Sequence, residues 1–291
     1  MKKVIAMSLI LCAMAAGGYA NESDGIFSYK AGKIEIYLLV ESQRDGNAAI
    51  LVGADENILS KYIPAEGFKH TANAILVKNK KQNILIDTGT GAGGIIIEKV
   101  KKLGVQPEKI DAVLITHLHG DHFGSLQKDG KASFPKAKIY LSARELEYFT
   151  QTNPNQGAIA ALAPYGKNVI TFESGDLAAL AAGKKLKTVL SGITPIAAYG
   201  HTPGHTIFLI EDSKEKFLVI ADLLHVALVQ FPVPEISATY DVDQKMAAST
   251  RRQVLDYAAK NKIPVGGMHI VYPGIGDVSA DGEGFKFTPK K

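Results

Sequence analysis

Apolar and polar positions alternate through the first half of the chain and give way to helical spacing near its end. Ile34, Ile36, Leu38 and Val40 alternate with Lys33, Glu35, Tyr37 and Leu39, an imperfect period of two that reads as a half-buried strand. Residues 21–32 before it hold no sustained pattern and read as a mobile terminus. Residues 48–52 read as a short strand. Residues 53–72, with Gly53, Pro64 and Gly67, read as a long loop, the kind that is often functional. Strands at 73–77 and 83–86 flank the polar turn 78–81 and predict a hairpin. A helix over 95–103 follows a glycine-rich turn, and an apolar run over 112–115 predicts another strand. A strand at 138–141 leads into Ser142 and Glu145, spaced as a capping box that opens a helix. Residues 152–167, rich in Ala, Pro, Asn and Gly, read as an insertion facing a substrate or as a linker. Further strands fall at 169–172, 192–197, 206–210 and 217–220. Met246, Val254, Leu255 and Ala258 mark a helix over 243–260. Strands alternate with helices, and no repeat or linker divides the chain. One α/β domain is expected.

Composition changes this picture at the N-terminus. Lys2 and Lys3, the apolar stretch 4–16 and the small residues Gly18 and Ala20 predict a signal peptide over 1–20, cleaved after Ala20. The expected location is periplasmic or secreted, with 21–291 as the mature domain. The stretch is too short for a comfortable membrane span, so no stable anchor is expected. The one cysteine, Cys12, would leave with the signal, which removes any disulfide or thiolate ligand. Losing Lys2 and Lys3 takes the formal charge from +4 to +2, no footprint for nucleic acid.

The chemistry gathers in LITHLHGDHFG (114–124), where His117, His119, Asp121 and His122 follow an apolar run. Imidazole nitrogens and carboxylate oxygens at that density suit borderline divalent metals. If the segment stays extended, His117, His119 and Asp121 point one way and His122 another, so one loop could feed two ions. Elsewhere, Gly89, Gly91 and Gly94 match G-x-G-x-x-G between a strand and a helix, as a dinucleotide site would. Tight strand-to-helix turns need glycines for their own sake, and exported proteins rarely meet dinucleotides. GHTPGHT (200–206) holds two histidines, but Pro203 and Gly204 exclude a helical pair. Asp222 ends the apolar run 217–220, where a carboxylate is costly unless paired or on a metal.

HLHGDH resembles the HxHxDH signature of the metallo-β-lactamase superfamily. The resemblance implies a four-layer αββα sandwich and two divalent ions, zinc by preference. It implies His117, His119 and His205 on one ion, Asp121, His122 and His269 on the other, and Asp222 between them, with His201 structural. Asp87-Thr-Gly is similar to a turn of that fold, with Asp87 supporting the site from behind. The segments 200–206, 221–234 and 269–278 are similar to methyl parathion hydrolase and its exported relatives, although Ala221 and His225 depart from that pattern. The activity implied is hydrolysis of small lactones, aryl esters or organophosphate triesters by a hydroxide shared between the ions. The alternative is a β-lactamase or another amide or thioester hydrolase. Asp121 would also orient the nucleophile, and His225 would assist the substrate or leaving oxygen. Phe231 and Tyr272 are candidates to line the substrate pocket, and a homodimer is open.

Overall fold

The computed structural model describes residues 24–291; the expected signal peptide and its cleavage site lie outside them. Two sheets pack face to face. The first has seven strands, in spatial order Ile26–Ala31, Ile34–Asp45, Lys69–Lys78, Asn83–Ile86, Ala112–Leu114, Lys138–Ser142 and Val169–Phe172. Pairing is antiparallel up to Asn83–Ile86 and parallel from there on. The second has six, Ile193–Ala197, Thr206–Asp212, Glu215–Ala221, Val265–Gly267, Ile275–Asp281 and Gly284–Pro289, with one parallel pair between Glu215–Ala221 and Val265–Gly267.

Three apolar layers account for the stacking. The inner one joins the facing sides of the sheets, with Ile36, Ile75, Val77 and Ile84 against Phe208, Phe217 and Val219. The outer side of the first sheet buries Leu76, Leu85 and Val113 under Ile96 and Val100 of the Ile95–Lys102 helix and Ala158 and Leu162 of the Gln156–Leu162 helix. The outer side of the second sheet buries Leu209, Leu218 and Ile220 under Val254, Leu255 and Ala258 of the Gln244–Asn261 helix. Strands with apolar residues on both faces must be covered on both faces, and parallel pairs need crossovers long enough to supply the covering helices. The four-layer sandwich follows, as one domain. Among the described residues, no helix is long and apolar enough to cross a membrane.

Five sequence expectations need correction. The expected mobile terminus over 21–32 contains the edge strand Ile26–Ala31, which buries Ile26, Phe27 and Ala31 against Ile34–Asp45. Residues 48–52 are mostly a 3-10 turn, Ala48–Ile50, capped by the Asn47 side chain; only Leu51–Val52 is strand. The supposed loop 53–72 contains the helix Glu56–Tyr62, whose first turn is closed by the Asp55 carboxylate accepting from the Ile58 N–H at 2.8 Å, and the start of strand Lys69–Lys78. Residues 152–167 are not a linker, because Ala158, Ala161 and Leu162 pack into the outer core. The capping box at Ser142 does not form; its side chain caps nothing, and Glu145 is used elsewhere.

The architecture positions the site. Asp87, His117, Glu145, Asp222 and His269 each lie within three residues of the carboxyl end of a parallel-paired strand. In open α/β sheets this is the end where ligands are bound.

Candidate metal centre

The short strand Ala112–Leu114 delivers His117 and His119 into the crevice, and the chain then turns into one helical turn, Gly120–Phe123. The extended continuation expected from sequence therefore stops at His119, and the turn is what separates Asp121 and His122 from the first two histidines. The ring nitrogens His117 Nε2, His119 Nδ1 and His201 Nε2 form a triangle with sides of 3.0 to 3.1 Å. Protons cannot bridge all three sides of such a triangle. Tetrahedral zinc with nitrogen arms near 2.0–2.1 Å sets its ligand atoms about 3.3 Å apart, so the triangle has the size of one face of that site.

A second group combines Asp121, His122 and His269, with both imidazole Nε2 atoms 3.6 Å from the Asp121 carboxylate. Asp222 lies between the groups. Its Oδ2 is 3.7 Å from His117, 3.4 Å from His201, 3.2 Å from His225 and 3.0 Å from His269, and its Oδ1 is 3.3 Å from His122. The backbone strains to aim it, since Ala221 sits at φ 46°, a left-handed value unusual for a residue with a Cβ.

Outer partners fix the rings. Nδ1 of His122 faces Asp87 at 2.7 Å, Nδ1 of His201 faces Asp241 at 2.9 Å, and Nδ1 of His269 faces the Thr71 carbonyl at 2.7 Å. An acceptor behind Nδ1 selects the tautomer whose Nε2 lone pair points into the centre. Burial lowers the His201 pKa to about 3 and holds His117 well below its ordinary value, so both imidazoles are in the neutral form that binds metals. Burial would lower the His122 pKa too, but Asp222, Asp121 and Asp87 outweigh it and raise it above its ordinary value. So much negative charge around one buried imidazole calls for a cation. The Nε2 of His122 and the Oδ1 of Asp222 are buried with no hydrogen-bond partner, which fits residues whose partner is a metal.

The structure overturns one sequence assignment. His205 does not join the cluster: its Nδ1 faces the Ala198 carbonyl at 2.8 Å and its Nε2 accepts from the Asp222 N–H at 3.3 Å, which uses both ring nitrogens. His201, read from sequence as structural, stands in its place. His117, His119, Asp121, His122, Asp222 and His269 are brought together as expected. His225 packs on His269 with ring centres 4.9 Å apart. Sequence reasoning missed His70, which stacks on the other side of His269 at 4.8 Å, because it fell in a presumed loop. All eight histidines of the chain thus lie in or against one centre.

The glycine-rich turn is not a phosphate cradle. The Thr90 and Gly91 N–H groups donate to the Glu41 carboxylate at 2.6 and 3.0 Å, and a Cβ on Gly91 would meet the Gly124 carbonyl at 2.5 Å. Its glycines let the turn lie against the end of the metal loop. The site mouth opens beside a cavity of about 730 Å³ whose walls include Tyr62, Phe68, Leu228, Phe231, Tyr272 and Phe285. His225 and His269 line both the mouth and this cavity.

Such a sandwich, with clustered histidines and aspartates at the carboxyl ends of its strands, defines a metal-dependent hydrolase. A family model described as the Metallo-beta-lactamase superfamily matches residues 68–261, and the chain belongs to that superfamily. The hydrolase AbOPH of the β-lactamase superfamily is 29% identical with a TM-score of 0.81, over 92% of this chain and 98% of that one. AidC, a dizinc quorum-quenching lactonase, is 25% identical with a TM-score of 0.77, over 92% and 98%. The thioesterase pkgB of Emericella nidulans is 30% identical over 193 residues, 66% of this chain and 47% of that protein. The chain spans about half the length of the curated relatives it matches.

Proposed function

We propose that this protein is an exported binuclear hydrolase of small lactones, aryl esters or organophosphate triesters. The observation that carries the reading is the carboxylate of Asp222 standing between two imidazole groups at the mouth of an apolar cavity. His117, His119 and His201 would hold one ion, Asp121, His122 and His269 the other, and Asp222 both. Two divalent ions, zinc by preference, would polarise the substrate oxygen and make water a competent nucleophile near neutral pH. Likeness over nearly their whole length to AbOPH, a hydrolase, and to AidC, a lactonase, supports hydrolysis and, through AidC, the lactone end of this range.

The chain's own residues would do the rest. Asp121 is the partly open carboxylate of the centre, at 32% exposure, placed to orient the attacking water and accept its proton. Water's oxygen bonds to the carbonyl carbon or phosphorus, and the bond to the leaving oxygen breaks. His225, whose Nε2 lies 3.2 Å from Asp222 and whose ring lines both the mouth and the cavity, would return a proton to that oxygen. The apolar walls, Phe231 and Tyr272 among them, would hold an acyl or aryl group.

The test is a panel on residues 21–291: an acyl-homoserine lactone, a δ-lactone, p-nitrophenyl acetate, methyl paraoxon and a chromogenic cephalosporin, with metal content measured on the same sample. Turnover of lactone, ester or triester, abolished by a chelator and restored by zinc, is expected at two metals per chain. Turnover of the cephalosporin alone would replace this reading with the amide-hydrolase one. His225→Ala should lower kcat by roughly 10²–10⁴-fold for substrates with alkoxide leaving groups, the range for general acid–base catalysis, and less for p-nitrophenolate. Equal turnover on every substrate would remove His225 from the mechanism.

A further inference from the structure

The Glu145 side chain is fully buried near the centre yet touches no metal-binding group. Its Oε1 accepts from the Leu118 N–H at 2.8 Å, and its Oε2 accepts from the Thr202 hydroxyl at 2.7 Å and the Gly204 N–H at 2.9 Å. Leu118 lies between His117 and His119, and Thr202 follows His201. One carboxylate therefore bonds the tips of both loops that make the nitrogen triangle. Burial pushes its pKa up to about 7 even though all three donors pull it down. A group this costly to bury, and unused as a helix cap, needs another reason to be there.

Two further contacts show that the loop 199–204 is pressed onto the same short helix, Ala143–Glu147. A Cβ on Gly204 would come within 2.3 Å of the Glu145 nitrogen, so only glycine permits this approach. The Arg144 guanidinium lies over the Tyr199 ring, 4.5 Å from its centre. A backbone bond from the Thr206 N–H to the Thr116 carbonyl ties the loops only at their bases. Glu145 makes no hydrogen bond to Asp121, His122 or His269: His269 faces the Thr71 carbonyl, and His122 faces Asp87, which also accepts from the Thr116 N–H and hydroxyl beside His117.

We propose that Glu145 is a positioning residue that sets the spacing of the His117–His119 and His201 loops, and so governs one metal site and not the other. The inference rests on the two-metal reading above. A carboxylate suits the task because it only accepts, and all three neighbours donate. Glutamine must turn its amide N–H groups toward at least one of those donors.

The experiment titrates Zn²⁺ into the metal-stripped chain against a chromophoric chelator. Wild type is expected to take two equivalents. Glu145→Gln should weaken one of them by roughly 10- to 100-fold, the range found for residues behind a metal ligand, and leave the other unchanged. Asp87→Asn, which loosens Thr116 beside His117 as well as His122, should weaken both. Excess Zn²⁺ should restore the turnover of Glu145→Gln, which a merely structural lesion would not allow. Gly204→Ala should mimic Glu145→Gln, because it prises the same contact apart without removing a polar group. Two wild-type equivalents in Glu145→Gln, or equal weakening of both, would overturn the inference. If that variant does not fold, Thr202→Val decides: the same single equivalent weakened several-fold supports it, and none weakened overturns it. A wild-type chain that binds fewer than two ions would instead bring down the two-metal reading.

Discussion

Asp222→Asn should lower kcat/KM at least roughly a thousandfold, about 4 kcal/mol of lost transition-state stabilisation, while the protein stays folded. The side chain changes hardly at all in size, so the cavity cost that accompanies truncation is absent. What changes is charge. Five imidazoles stand 3.0 to 3.7 Å from this carboxylate, and it is the one acid that reaches both halves of the centre. Burial opposes its ionisation, yet the facing imidazoles, His122 foremost, hold its pKa well below the usual carboxylate range. An amide cannot bind two cations through negative oxygens, so metal content should fall below two per chain together with the turnover. Unchanged circular dichroism with lost metal would confirm the prediction. Retention of a tenth of the wild-type rate at two metals per chain would show that the bridge is dispensable.

His201→Ala and His205→Ala should separate, although five residues of one motif hold both histidines. His201→Ala removes one corner of the nitrogen triangle and leaves Asp241 facing an empty space. Loss of one metal equivalent and a fall in turnover of at least roughly a hundredfold are expected, about 2.7 kcal/mol. His205→Ala removes two hydrogen bonds to backbone atoms and leaves a buried cavity beside strand Thr206–Asp212. Its first effect should be on stability, roughly 2–4 kcal/mol from the orphaned Ala198 carbonyl and Asp222 N–H together with the lost packing. A denaturant titration and a metal assay on both proteins read the difference. If His205→Ala loses a metal and His201→Ala does not, the assignment from the geometry is reversed.

The motif read from sequence determined the class of chemistry and most of the donors. HLHGDH packs four donors into six positions, and Asp222 and His269 each follow an apolar strand whose burial obliges a polar terminal residue to find a partner. Alternation marked Ile34–Asp45, helical spacing marked Gln244–Asn261, and apolar runs marked Asn83–Ile86 and Thr206–Asp212. Elements without a clear apolar pattern were not legible. Glu56–Tyr62 has no buried residue to give it a period, and Ile26–Ala31 becomes recognisable as a strand only beside its neighbour.

The choice between His201 and His205 belonged to the tertiary structure alone. Both sit in GHTPGHT with similar neighbours, and what separates them is which ring finds backbone partners for both nitrogens and which keeps one free for the centre. Glu145 teaches the same lesson. Its spacing from Ser142 is that of a capping box, a local bond, but three donors from two distant loops satisfy its carboxylate instead. Sequence spacing fixes which residue types are available and how strands and helices present them. Which lone pair meets which proton depends on loops that approach only after the two sheets have packed, and that distance is not written in any one segment of the chain.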